Sequence, residues 1–289
     1  MSISEVIEPN VVAKGPILLR RFLAMQKRQM VGPFIFFDQA GPTQIRVTSQ
    51  SGFSEHPHSG TATLTYLLSG DVTHRDSAGG YAELSAGDLA LMTTGRGVTH
   101  EERPQNEAIG TMRDVYFIEA WLALPDALED TQPQFEHHKH RNLPEVCFES
   151  GLAWLLMGEG WGAIAPTTCH SRTVLADISI EPGGIVPLEF DYDELAIFVL
   201  QGDASLNDLT LQVCTMSVYK ADTASVLTTT SGCRAIVLGG DAFSSPRFVE
   251  QNFVASSEVL LEQQANRFRD GEFPSLQSSD HDPMICSTN

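Results

Sequence analysis

The chain has 289 residues, 42% of them hydrophobic, which is enough for one large domain or two ordinary ones with a sizeable core. Its 37 acids against 18 lysines and arginines give a formal charge of −19, which disfavours direct binding of nucleic acid or docking on anionic lipid, since both draw affinity from cations. No run approaches the ~18 consecutive apolar residues of a membrane span, and five scattered cysteines without a C-x-x-C pair read as reduced, mostly buried thiols of a cytoplasmic protein.

The first ten residues hold Glu5 and Glu8 and no apolar run, so they do not read as a signal peptide. Lys14, Arg20, Arg21, Lys27 and Arg28 read as the solvated face of a strand and its turn. Val31–Asp38 and Thr61–Leu68 read as strands, the second ended by Ser69-Gly70-Asp71. Val72–Asp76 and Tyr81–Leu84 form a candidate hairpin turning at Gly79-Gly80. Asp88–Thr94 is a further strand, and the turn Gly95-Arg96-Gly97 delivers Val98–Glu102. Short, evenly spaced strands with glycine turns indicate an all-β sandwich or barrel. Pro125–Pro144, rich in proline, acids and histidine, reads as a linker, and His137, His138 and His140 within it as part of a solvated loop. Ser256 as N-cap, Glu258 in the first turn and Gly271 as stop predict a helix with Leu261, Ala265 and Phe268 on one stripe. The polar stretch Ser275–Asn289 is expected to fray.

Thr65-Tyr-Leu-Leu-Ser-Gly-Asp71 is echoed by Ile197-Phe-Val-Leu-Gln-Gly-Asp203. Two copies of one β-module follow, an N-terminal metal-binding domain over 1–130 and a C-terminal domain over 145–289. Carried across, His56 and His58 fall on Leu188 and Phe190, and His100 falls near Arg234. Only the first copy should hold metal.

The metal reading rests on two clusters, His56-Pro57-His58 and His100-Glu101-Glu102. Alternate side chains of a strand share a face, so neighbouring strands would bring His56, His58, His100 and Glu102 to one point. Parity selects Glu102 over Glu101. Three imidazoles and a carboxylate suit iron, manganese, zinc, copper or nickel. His74 reads as a structural or pocket-lining residue, and His170, with no partners nearby, as a structural one. Hydrolase, P-loop and dinucleotide-binding signatures are absent from the sequence.

With these residues assembled, the chain resembles the pirin family of the cupin superfamily. The resemblance is carried by Gly52-Phe-Ser-Glu-His-Pro-His-Ser-Gly60, Thr65-Tyr-Leu-Leu-Ser-Gly70, His74-Arg-Asp-Ser77, Thr94-Gly-Arg-Gly-Val-Thr-His-Glu-Glu102 and Ala120-Trp-Leu-Ala-Leu-Pro125. It implies a bicupin of two antiparallel β-barrels, with mononuclear Fe(II) on His56, His58, His100 and Glu102. Some pirins act as quercetin 2,3-dioxygenases, and eukaryotic members act as nuclear co-regulators of transcription. Two functions are therefore expected: an Fe(II)-dependent dioxygenase opening a flavonol ring with O2, or a non-catalytic, iron-responsive regulator that binds a protein partner. In the first, Glu102 could also take the substrate proton, and Phe53, Tyr66 and Met92 are candidates to line the cavity. The family usually has Arg, Phe and Glu where this chain has Ser59, Thr61 and Ala62, the last two expected near that cavity.

Overall fold

The computed structural model describes residues 3–25, 28–104, 108–220 and 225–276; Lys27, Cys286 and the tail beyond 276 lie outside them. The chain is mostly β, built as two modules with the same strand order. In the first, a large sheet runs Gln134–His138, Leu89–Thr93, Thr61–Ser69, Met112–Ala123, Phe34–Arg46, Ile17–Leu23, Asn10–Lys14. Over it lies a four-stranded sheet, Phe53–His58, Val98–Arg103, Asp71–Asp76, Tyr81–Ser85. The second module repeats both. Its large sheet runs Ile3–Ile7, Met216–Tyr219, Glu194–Gly202, Cys233–Gly240, Thr173–Ile180, Gly151–Gly160, Glu145–Phe148. Its small sheet runs Ile185–Leu188, Ser225–Thr228, Ala204–Leu206, Leu209–Leu211.

Each module is a cupin-type sandwich rather than the closed barrel expected. Glycine turns move the chain from one layer to the other instead of extending a ladder. Gly70, at φ +96°, ends Thr61–Ser69 in the large sheet and starts Asp71–Asp76 in the small one.

The two large sheets bury their outer faces against each other. Phe22, Phe37, Tyr66 and Ile118 of the first share one core with Leu156, Phe198, Met216 and Ile236 of the second. Phe198 is the hinge of this packing, with ring centroids 4.6 Å from Phe22 and 5.6 Å from Phe37. Both faces of each large sheet are thus covered, so Phe34–Phe37 and Leu195–Leu200 read as unbroken apolar runs rather than alternating ones. A polar network spans the same junction. Tyr66 Oη donates to Asp177 Oδ2 at 2.7 Å, and Arg234 Nη2 and Nε donate to the same carboxylate at 2.6 and 3.0 Å.

Several expectations are corrected here. Within the supposed linker, Gln134–His138 is a strand paired with Leu89–Thr93. Its period-2 pattern offers one apolar side chain, Phe135, which stacks on His74, so the signal was weak. The chain start also crosses over: Ile3–Ile7 pairs with Met216–Tyr219 of the second module. The helix spans Glu258–Arg269, but its N-cap is Ser257, whose Oγ accepts from Leu260 N. Ser256 instead gives its N–H and hydroxyl to Glu129 at 2.6 and 2.7 Å, tying the C-terminal segment to the first module. Leu261 and Ala265 of the expected stripe are buried, while Phe268 is 38% exposed. Of the described cysteines, all free, Cys147 and Cys169 are exposed, Cys214 is half-buried and only Cys233 is buried. Among the described residues no helix is long and apolar enough to cross a membrane.

Candidate metal centre

The small sheet of the first module brings the two clusters together. Phe53–His58 pairs antiparallel with Val98–Arg103, setting His56 opposite His100 and His58 opposite Val98. The three imidazoles face one point, with ring centroids 4.3 Å apart for His56 and His100 and 5.0 Å for the other two pairs. His56, His58 and His100 each offer a ligand atom within 4.8 Å of the others, and His74, His100 and Glu102 form a second such group sharing His100. Glu101, by contrast, points away: Arg103 Nε donates to it at 2.6 Å, and Arg75 Nε lies 3.5 Å off.

His58 is fully buried and His100 is 3% exposed, yet both ring nitrogens of each lack a hydrogen-bond partner. Burying unpaired polar atoms is costly, and a divalent metal held by one nitrogen of each ring would satisfy two of these four. Burial, reinforced by neighbouring histidines, holds the pKa of both well below the usual histidine range. They therefore stay in the neutral form a metal requires. His56 is partly open to the cavity, and burial lowers its pKa against the opposing Ser54 bond. Its Nδ1 donates to the Ser54 carbonyl at 2.7 Å, which leaves the Nε2 lone pair free. Trp121 stands edge-on to His58 at 4.8 Å and fixes that ring.

Glu102 is 5% exposed and accepts from Thr65 Oγ1 at 2.8 Å. His74 Nδ1 lies 3.7 Å from its Oε1, while His74 Nε2 meets Asp76 Oδ2 at 3.3 Å. Burial would lower the His74 pKa, but Asp76 and Glu102 outweigh it and raise it; in turn, His74 and Thr65 hold the Glu102 carboxyl low despite burial. His74 is thus built into the site, beyond the structural or lining role expected. Its signal was present: His74 and Asp76 form a third i, i+2 pair, and on adjacent strands they oppose Glu102 and His100.

The centre opens on a cavity of about 530 Å³ bordered by His56, Phe53, Phe36, Trp121, Arg21 and Glu119. Of the expected lining residues only Phe53 borders it. Tyr66 turns to Asp177 in the other module, and Met92 is buried in the large sheet. Thr61 sits in a hydroxyl cluster with Thr63 and Thr94, and Ala62 lies in the shared core, so neither departure from the family pattern touches this cavity. The basic residues near the start are not simply solvated: Arg21 pairs with Asp38 at the cavity, and Arg28 bonds Glu5 and Glu194 at 2.7 and 2.9 Å. Two histidines of the supposed loop are paired with acids, His137 with Asp88 and His138 with Glu136, both at 3.0 Å, and the His140 ring lies against Trp154. His170, expected to lack partners, meets Thr93 Oγ1 at 2.8 Å.

In the second module, the strands matching the two clusters are Ile185–Leu188 and Ser225–Thr228. Their register sets Val186 and Leu188 where the first module has His56 and His58, and Leu227 where it has His100. A fixed sequence offset fails because loop lengths differ, so Arg234 is not the counterpart of His100. All three residues are buried in an apolar interior.

Comparison with known proteins agrees with this geometry. The profile of the family described as Pirin matches residues 17–122, and that of the Pirin C-terminal cupin domain matches residues 175–274. The chain belongs to the pirin family. A pirin-like protein of Caulobacter vibrioides is 34% identical over 282 residues, 94% of either chain. Among solved structures, this pirin superposes on quercetin 2,3-dioxygenase from Acinetobacter baumannii with a TM-score of 0.85 at 23% identity, covering 99% of this chain and 96% of that one. It also matches the bacterial pirin YhhW from Escherichia coli in complex with nickel(II), with a TM-score of 0.67 at 16% identity over 83% of this chain and 99% of that one.

Proposed function

We propose that this pirin is a metal-dependent dioxygenase of the quercetin 2,3-dioxygenase type, with His56, His58, His100 and Glu102 holding Fe(II) and a planar hydroxylated aromatic as substrate. The observation that carries the reading is the convergence of His56 with the buried His58 and His100, whose ring nitrogens have no hydrogen-bond partner, next to a second group that adds Glu102 through His100. Likeness to a quercetin 2,3-dioxygenase and to a nickel-bound pirin adds support. When bound, the metal supplies a Lewis acid and a redox partner for O2.

The chain's own residues do the rest. His74 and Thr65 hold the Glu102 carboxylate in one orientation, and Asp76 in turn holds His74. Trp121 and Phe36, stacked on each other at 4.0 Å and 10°, contribute aromatic surface to the cavity lining. Phe53 also borders the cavity, with Lys14 Nζ 3.5 Å above its ring. In the overall reaction a flavonol and O2 yield a ring-opened ester and CO.

The test is O2-dependent loss of quercetin absorbance by anaerobically Fe(II)-loaded protein, with His100→Ala as control. Loss with CO release in the wild type alone is expected. A wild type that carries iron and leaves quercetin intact in air would rule the activity out.

A further inference from the structure

The cavity contains a carboxyl that the metal-binding set leaves unused. Glu119 lies on Met112–Ala123, between Thr65 and Asp38 on the flanking strands. Its Oε1 accepts from Trp121 Nε1 at 2.9 Å, and no hydrogen bond reaches Oε2 among the described residues. Glu119 borders the open cavity beside His56, whereas Glu102 is buried behind with Oε1 on Thr65 and His74. Of two carboxyls near the centre, one is clamped by the protein and the other faces the ligand space.

The charges around that space select a class of ligand. Arg21 is spent on Asp38, through Nε and Nη2 at 3.0 and 2.9 Å, and lies over the Phe36 ring. Lys14 is then the single cation of the lining not paired to a carboxylate, and it faces Glu119 and Glu102. A carboxylate substrate would meet acids with one lysine to offset them. A neutral, hydroxylated aromatic meets the aromatic lining of Phe36, Phe53 and Trp121 and a free carboxylate oxygen.

We infer that Glu119, rather than Glu102, is the catalytic base of this cavity, taking the proton of a hydroxyl on a planar aromatic ligand; the inference rests on the dioxygenase reading above. In the step, the ligand O–H bond breaks, its electron pair stays on the ligand oxygen as an oxyanion, and an O–H bond forms at Glu119 Oε2. The proton leaves later to water through the open side of the cavity. Geometry has a chemical companion. Burial first, then the Glu102 charge, with Asp38 adding and Trp121 and Lys14 opposing, pushes the Glu119 carboxyl up to about 7. A base near that value both accepts and releases a proton near neutrality.

Glu119→Gln keeps the side-chain shape and an oxygen for Trp121, so it removes the proton site alone. Quercetin is the probe, mixed anaerobically with Fe(II)-loaded protein between about pH 5.5 and 9, and its anion is read by absorbance. The wild type is expected to generate the anion within this range, in a single transition. In E119Q the midpoint moves up by about one unit or more and kcat in air falls about 100-fold, with iron content unchanged and partial recovery in Glu119→Asp. An E119Q variant with the wild-type midpoint and rate overturns this inference alone. A wild type that loads iron but neither ionises nor consumes quercetin overturns the dioxygenase reading and this inference with it.

Discussion

His74 gives the sharpest check on how the centre is built. It is 2% exposed, lies face to face with Phe135 at 4.2 Å and 8°, and links Asp76 to Glu102. His74→Phe retains a flat ring on Phe135 and removes both nitrogens. Asp76 keeps the Ala78 and Gly80 N–H groups at 2.8 and 2.9 Å, and Glu102 keeps Thr65 at 2.8 Å, so neither carboxylate is stranded. The metal-free fold should therefore lose about 1–3 kcal/mol, the range for one buried hydrogen-bonded contact. Metal affinity should fall further, because the Glu102 carboxylate loses the group that holds it. Partners of this kind are worth about 10–100-fold in affinity, or about 1.4–2.7 kcal/mol of binding. Calorimetric titration with nickel(II), alongside thermal melts of the metal-free protein, separates the two effects. A His74→Phe protein that binds nickel as tightly as wild type would refute the positioning argument, whatever its melting temperature.

Other consequences follow from the same structure. Tyr66→Phe removes a hydrogen bond to a buried carboxylate while Arg234 stays on Asp177, and should cost about 1.5–3 kcal/mol in denaturant unfolding; no measurable loss would mean the junction network is idle. Phe198→Ala empties the shared core and should cost about 3–5 kcal/mol, with both modules still melting in one transition; two separated transitions would contradict a common core. The folded-state pKa of Glu119 is raised to about 7, above its ordinary value of 4.5, so the folded state binds more protons between those values and stability falls as pH rises through that window. Metal-free E119Q should show a flatter stability–pH curve there, and an unchanged slope would contradict the burial of that charge. His137→Ala combined with His138→Ala should leave metal stoichiometry unaltered by elemental analysis, because both rings are engaged with acids.

How legible this was in the sequence depended on how local the signal is. The convergence of the three histidines was readable because i, i+2 spacing on a strand is a local geometric fact, and Glu101 turned outward as parity requires, while Glu102 joins the group through His100 and His74. The strands ending in Gly70 and Gly202 announced the repeat, and the structure pairs them as equivalent members of the two large sheets. Long-range features escaped. Glu119 carries no motif, and its chemistry arises from burial and from charges on other strands. Gln134–His138 offered a single apolar side chain, too little to distinguish an edge strand from a loop. Tyr66 looked like a lining residue, but it lies on a sheet with two buried faces and turns to the partner module. Register across modules was lost as well, since a fixed offset pointed to Arg234 where the sheet sets Leu227.

Elemental analysis after anaerobic Fe(II) loading and desalting tests most directly whether the chain holds a single metal centre, in the first module. About one iron per chain is expected in the wild type and close to none in His100→Ala, since the second module has Val186, Leu188 and Leu227 at the matching positions. Iron retained in His100→Ala, or two irons per chain in the wild type, would contradict it.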